Sequence, residues 1–210
     1  MYASQKNVQI VVALMKEHGV RHVVISPGSR NMPLVKSFEN DPYFTCYSVV
    51  DERSAAYFAV GVSLERDEPV ALSCTSAQAT RNYIPGLTEA FYRGVPIVAL
   101  TADYRQSFIG QGIMQTVRQV EMPSDTHKLA VQLPVVEDAD DEWYCGRLVN
   151  EALLALRHHG TGPVQINVPI DEHWVGEVPE LPKVKRIRRF TSSSSDLPQI
   201  TGKKILVAVG

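Results

Sequence analysis

The sequence predicts an α/β domain: a parallel sheet with helices on both faces. Strand-sized apolar runs alternate with helical segments along most of the chain. The runs are apolar nearly throughout, not at every second residue, as in strands buried on both faces, and each ends in a short polar turn. With 210 residues, 44% hydrophobic and 21% charged, the chain has a globular composition and is long enough for one large core.

In chain order, Val8, Val11, Val12 and Met15 recur at helical spacing. Residues 4–18 therefore read as an amphipathic first helix; no small-residue cleavage site follows to make them a signal-peptide core. Residues 21–25 are a strand, leading through the turn Ser26-Pro27-Gly28-Ser29-Arg30 into a helix. A strand over 44–50 leads to Asp51-Glu52-Arg53 and a helix through 64, and a strand over 69–74 leads to Thr75-Ser76 and a helix through 92. Residues 96–101 are a strand, 103–122 a loop and helix, 130–135 a strand, 139–158 a helix and 163–168 a last strand. In such a sheet ligands sit at the carboxyl ends of the strands, so the turns there are the candidate site.

The net charge of −2 hides an asymmetry. Residues 1–182 carry 14 basic and 22 acidic side chains, and residues 183–210 carry 7 and 1. We expect an α/β domain over 1–182 and a basic, Ser-rich linker over 183–202. Residues 203–210, an apolar run ending in glycine, read as the first strand of a truncated second domain. The run Lys183 to Arg189 lacks the interleaved aromatics of a nucleic-acid surface, and no apolar stretch approaches membrane-span length, so neither partner is expected. Cys46, Cys74 and Cys145 form no CxxC pair, which fits a reducing, cytoplasmic setting.

Familiar signatures are absent. There is no GxxxxGK[ST] and no HExxH, and Gly110-Gln111-Gly112 lacks a third glycine and a preceding strand. The histidines show no ligand spacing, and the acidic cluster from Glu137 to Glu142 reads as a helix start, so no metal site is expected. The turn from Ser26 to Arg30 is sharper. A glycine, a hydroxyl and an arginine entering a helix form an anion site, although a capped Pro-Gly turn with a solvated arginine fits the same spacing. Asp51-Glu52-Arg53 likewise suits helix capping, or a carboxylate aimed into the crevice.

Taken in order, Ile25 to Arg30, Asp51-Glu52-Arg53, Thr75-Ser76, Asn82-Tyr83 with Pro85, Leu100 to Asp103, Gln115 with Arg118-Gln119, and Gly162 to Asn167 resemble the MenD family over about residues 4–175. These are thiamine-diphosphate-dependent synthases of menaquinone biosynthesis. The resemblance implies the family's pyrimidine-binding domain, in an enzyme that decarboxylates 2-oxoglutarate and adds the resulting unit to isochorismate. It implies that Glu52 is the catalytic carboxyl that protonates the cofactor's aminopyrimidine at N1′, a task helped by an apolar crevice that disfavours its charged form. It also implies that Thr75 and Ser76 wall the pyrimidine pocket, that Ser29 and Arg30 line the site of the anionic acceptor, and that Gln115 approaches the cofactor-bound intermediate.

The family's diphosphate signature, Gly-Asp-Gly followed by Asn, does not occur in the 210 residues. Mg²⁺ and the diphosphate are therefore expected on a further C-terminal domain, the isolated chain is expected to be inactive, and the full-length enzyme is expected to be a homodimer or homotetramer. The chain departs from the family at Ala77 and Gln78 (usually Gly-Thr), at Tyr104 (usually Arg) and at Met114 (usually Asn). A related enzyme acting on another 2-oxo acid or acceptor, or a noncatalytic α/β binding subunit, stays open alongside the first reading.

Overall fold

The structure, a computed structural model, describes residues 1–170, 176–191, 194 and 201. A short β1 (Tyr2–Ala3) precedes α1 (Lys6–Glu17), β2 (His22–Ile25), α2 (Met32–Glu39), β3 (Thr45–Ser48), α3 (Glu52–Arg66) and β4 (Val70–Cys74). Then come α4 (Gln78–Asn82), α5 (Ile84–Arg93), β5 (Ile97–Asp103), β6 (Leu129–Gln132), α6 (Ala139–Ala155), β7 (Val164–Pro169) and β8 (Glu177–Val178).

Six strands form one parallel sheet in the order β3-β2-β4-β5-β7-β6. The inner strands β2, β4, β5 and β7 are buried along their whole length, which explains their unbroken apolar character. Helices α1, α2 and α6 pack on one face with Val23, Ile25, Ala71, Val98 and Ile166. Helices α3, α4 and α5 pack on the other with Val24, Val70, Leu72, Ile97 and Ala99. The chain steps from β2 outward to β3 and then back across to β4, so the strand order reverses between β2 and β4. Crevices form at such reversals.

Two expectations need correction. Residues 103–122 contain no α-helix, only a 3₁₀ turn at Gln106–Phe108. Gly110, Gly112 and Gln115 all take positive φ there, which a right-handed helix does not allow. The helix expected after Ser76 is two helices, α4 and α5, parted at Tyr83. Pro85 follows the break, where its missing N–H costs nothing. The small antiparallel pair of β1 and β8 was not anticipated.

Residues 183–187 lie along α1 and α6, leaving a groove of about 590 Å³. Asn150 on α6 donates to Lys185 O at 3.1 Å and accepts from Ile187 N at 2.8 Å. The same Oδ1 meets His18 Nε2 at 2.9 Å. The expected strand over 203–210 and most of the linker's second half lie outside the described residues.

Two consequences are measurable. Gly86 on α5 faces α3 so closely that a Cβ there would stand 2.5 Å from Ala56 Cβ. An exposed helical glycine gains up to about 1 kcal/mol on becoming alanine, but overpacking a tight contact costs about 1–3 kcal/mol. Gly86→Ala is therefore expected to lower the urea midpoint, and a raised midpoint refutes the contact. Burial, with Arg186 adding to it against the Asn150 hydrogen bond, holds His18 below its ordinary value. The unfolded chain then binds the proton more readily, so the His18 contribution is intact above about pH 6.5 and fades below it. Thermal melts at falling pH are expected to show this loss, and His18→Gln to lack it.

Candidate functional site

The ends of β2, β3 and β4 are tied together by short-range hydrogen bonds. Ser26 N donates to Ser73 O at 2.9 Å, and Ser26 Oγ donates to Val49 O at 2.9 Å. Asn31, fully buried at the start of α2, donates to Ser26 O and Ser73 Oγ, both at 3.1 Å. Gly28 sits against Thr75, and a Cβ on it would lie 2.5 Å from Thr75 Cβ. Only glycine lets these two turns approach so closely at the strand-order reversal.

Asp51 caps α3 by accepting from Ser54 N at 2.8 Å. Glu52, the first residue of that helix, is partly exposed and accepts from Asn82 Nδ2 of α4 at 3.2 Å. Fully buried Cys74 and Tyr83 lie near enough for the Glu52 charge to act on both. Burial pushes the Cys74 thiol up to about 12 and the Tyr83 phenol well above its ordinary value. The thiol is no nucleophile at neutral pH. Thr75 is half-buried and Ser76 buried just after β4, next to the Gly28 turn of β2, which lies between them and the β3 end that leads to Glu52.

Arg30 is not the solvated turn residue that its sequence context also permitted: it is 4% exposed. Its Nη1 donates to Ile170 O, and its guanidinium lies 3.7 Å from the Tyr104 ring centroid. Asp103, 1% exposed beneath it, accepts from Asn167 Nδ2 at 2.7 Å and Tyr104 N at 2.8 Å. Burial raises this carboxyl above its usual range despite those bonds and the Arg30 charge. Ser29 is exposed in the same turn. Gln115 is exposed too, at φ 60 in the 104–122 segment, beside Met114, 81% exposed. The structure thus groups Gly28, Glu52, Thr75 and Ser76 at the β3-β2-β4 ends and Arg30 towards β5 and β7, with Gln115 out on the loop.

The sequence reading gave no role to Asn82, Gln119, Asn167 or Tyr83. A signal was there for Asn167: Gln165 and Asn167 interrupt an otherwise apolar buried strand, and amides in such a place need partners. Among the described residues no group of three or more His, Cys, Asp or Glu converges as a metal site, and no helix is long and apolar enough to cross a membrane.

Residues 5–122 match the family described as thiamine pyrophosphate enzyme, N-terminal TPP binding domain. The chain belongs to that family. It is 46% identical over 191 residues to a 2-succinyl-5-enolpyruvyl-6-hydroxy-3-cyclohexene-1-carboxylate synthase of Bacteroides thetaiotaomicron, covering 90% of this chain and 34% of the relative. It is 47% identical over 195 residues to the synthase of that name from Phocaeicola vulgatus, covering 92% and 35%. The chain spans about a third of the length of these relatives. In fold it is similar to a Rhodococcus jostii thiamine diphosphate-dependent 4-hydroxybenzoylformate decarboxylase, with TM-score 0.68 and 24% identity over 83% of this chain and 32% of the other.

The missing Cβ of Gly28 keeps the two turns together, and Asn82 holds the Glu52 carboxylate on the first turn of α3. One departure has a structural cost. Ala77, where the family usually has glycine, sits at φ 61 and ψ −108. Such backbone costs an L-residue about 1–3 kcal/mol, against about 0.5–1 kcal/mol for the extra freedom that glycine loses on folding. Ala77→Gly is therefore expected to stabilise the chain by about 1 kcal/mol, raising Tm by roughly 2–4 °C. Calorimetry giving no rise contradicts the strain.

Proposed function

We propose that this chain is the pyrimidine-side domain of a thiamine-diphosphate-dependent synthase that decarboxylates 2-oxoglutarate and transfers the resulting succinyl semialdehyde unit to isochorismate in menaquinone biosynthesis. The observation that carries this is 46–47% identity over about nine tenths of the chain to synthases of that name. The domain covers residues 1–182, with 183–202 a linker and 203–210 opening a central domain, while a further C-terminal domain holds Mg²⁺ and the diphosphate. The enzyme works in the cytoplasm as a homodimer or homotetramer.

When bound, thiamine diphosphate supplies the carbanion chemistry that cleaves a 2-oxo acid. Glu52 holds a proton at the pyrimidine N1′ while Asn82 fixes the carboxylate's other side. Thr75 and Ser76 wall the ring, and their turn is kept against Gly28. Ser29 and Arg30 serve the anionic acceptor, and Gln115 serves the donor-derived unit to be transferred. Arg30 is anchored on Ile170 O and under Tyr104, so its charge is oriented before an acid arrives.

Tyr104 over Arg30 and the exposed Met114 favour a second reading, the same chemistry with a different acceptor. The enzyme carrying this chain, assayed with thiamine diphosphate, Mg²⁺, 2-oxoglutarate and isochorismate, is expected to release CO₂ and form the joined product. CO₂ without joined product supports the second reading; neither overturns both. Glu52→Gln is expected to leave the circular dichroism unchanged and to lower turnover at least ~100-fold, the scale of a positioned proton-transfer group. Near wild-type turnover removes Glu52 from the chemistry.

A further inference from the structure

Gln119 is 1% exposed, although it belongs to the polar 104–122 segment. Its Oε1 accepts from Ala77 N at 2.5 Å and from Thr80 Oγ1 at 3.1 Å. Its Nε2 donates to Ala102 O at 3.0 Å and Asn167 Oδ1 at 2.7 Å. Its backbone oxygen accepts from Gln165 Nε2 at 3.1 Å. One carboxamide thus uses both its ends, and between them bridges the turn after β4, the end of β5 and the middle of β7. A loop side chain that is fully buried and fully bonded must hold something, because burial of an amide is costly and only its partners repay that cost.

What it holds is the strained turn. Ala77 is the residue at φ 61, and its N–H points at Gln119 Oε1. That turn starts α4, the five-residue helix that ends in Asn82, and Asn82 Nδ2 is the group on the Glu52 carboxylate. Neighbouring Arg81 reaches back to the same segment, donating to Arg118 O at 2.9 Å and Glu121 O at 2.8 Å. The turn, α4 and the 118–121 stretch are therefore tied together by side-chain bonds.

We propose that Gln119 is a positioning residue for Glu52: it clamps the Ala77 turn and, through α4, sets Asn82 against the Glu52 carboxylate. The assignment rests on reading Glu52 as the cofactor-facing carboxyl, but the clamp itself is a property of this chain and is read without turnover. Alanine at 77 makes the clamp necessary. A glycine there holds the same backbone with little strain, so the demand on Gln119 falls when Ala77 becomes glycine.

The test is nuclear magnetic resonance of the 210-residue chain, observing the Asn82 side-chain amide. Glu52→Ala marks the position that this amide takes without its partner. Gln119→Met, which keeps length and apolar bulk, is expected to move the Asn82 signals most of the way to that position. Ala77→Gly combined with Gln119→Met is expected to bring them back towards wild type, a rescue that general loosening of the core does not produce. A folded Gln119→Met chain with unmoved Asn82 signals overturns the proposal, and so does a double variant without rescue. Should both variants unfold, Thr80→Val removes one donor to the same Oε1 and keeps the Ala77 N–H bond. Because Thr80 Oγ1 also meets Cys74 Sγ at 3.8 Å, Cys74→Ala controls for that contact and is expected to leave the Asn82 signals in place. Thr80→Val is expected to move the Asn82 signals part of the way, and unmoved signals there overturn the clamp equally. If Glu52→Gln keeps its turnover while the Asn82 signals follow Gln119, the clamp stands and only the role given to Glu52 falls.

Discussion

The constraint on which the candidate site depends is the need to satisfy buried amides where the strands of a two-sided sheet end. Asn167 on β7 is its centre. It takes hydrogen bonds from Thr101 Oγ1 and Gln119 Nε2, both at 2.7 Å, and gives them to Asp103 at 2.7 Å and Gln132 at 2.6 Å. Gln165 adds a bond to Thr101 at 3.0 Å. In a low-dielectric interior each of these groups is expensive to leave unpaired. The network therefore fixes the ends of β5, β6 and β7 relative to one another, and through Gln119 it reaches across to the turn after β4.

This network separates two kinds of order at the strand ends. On the β3-β2-β4 side the turns are held by close backbone approach, with Gly28 against Thr75 and Ser26 bonded to both neighbours. On the β5-β7 side they are held by side chains: Asp103 beneath Arg30, Arg30 beneath Tyr104. Close backbone contact sets a slot of fixed width, whereas side chains supply directed charge that substitution can retune.

The sheet and its flanking helices were legible because buried parallel strands leave long apolar runs, and β2, β4, β5 and β7 are buried throughout. The 103–122 segment was not. Its residues repeat at near-helical intervals, but Gly110 and Gly112 at positive φ and the buried Gln119 hold it irregular, and those bonds come from residues far away in sequence. Glu52 could be picked out as a strand-end carboxylate, whereas its partner Asn82 comes from a different helix on a different turn. Arg30 was identifiable as a cation at a turn. Its burial depended on Tyr104 and Ile170, which no local pattern connects to it.

The sheet divides the interior into two apolar compartments, one under α1, α2 and α6 and one under α3, α4 and α5. Glu52 and Asn82 ride on helices of one compartment, while the turn bearing Arg30 leads into α2 of the other. Asn167 joins the two halves, meeting Asp103 below Arg30 and Gln119 beside the Ala77 turn, so a substitution in one compartment is felt in the other.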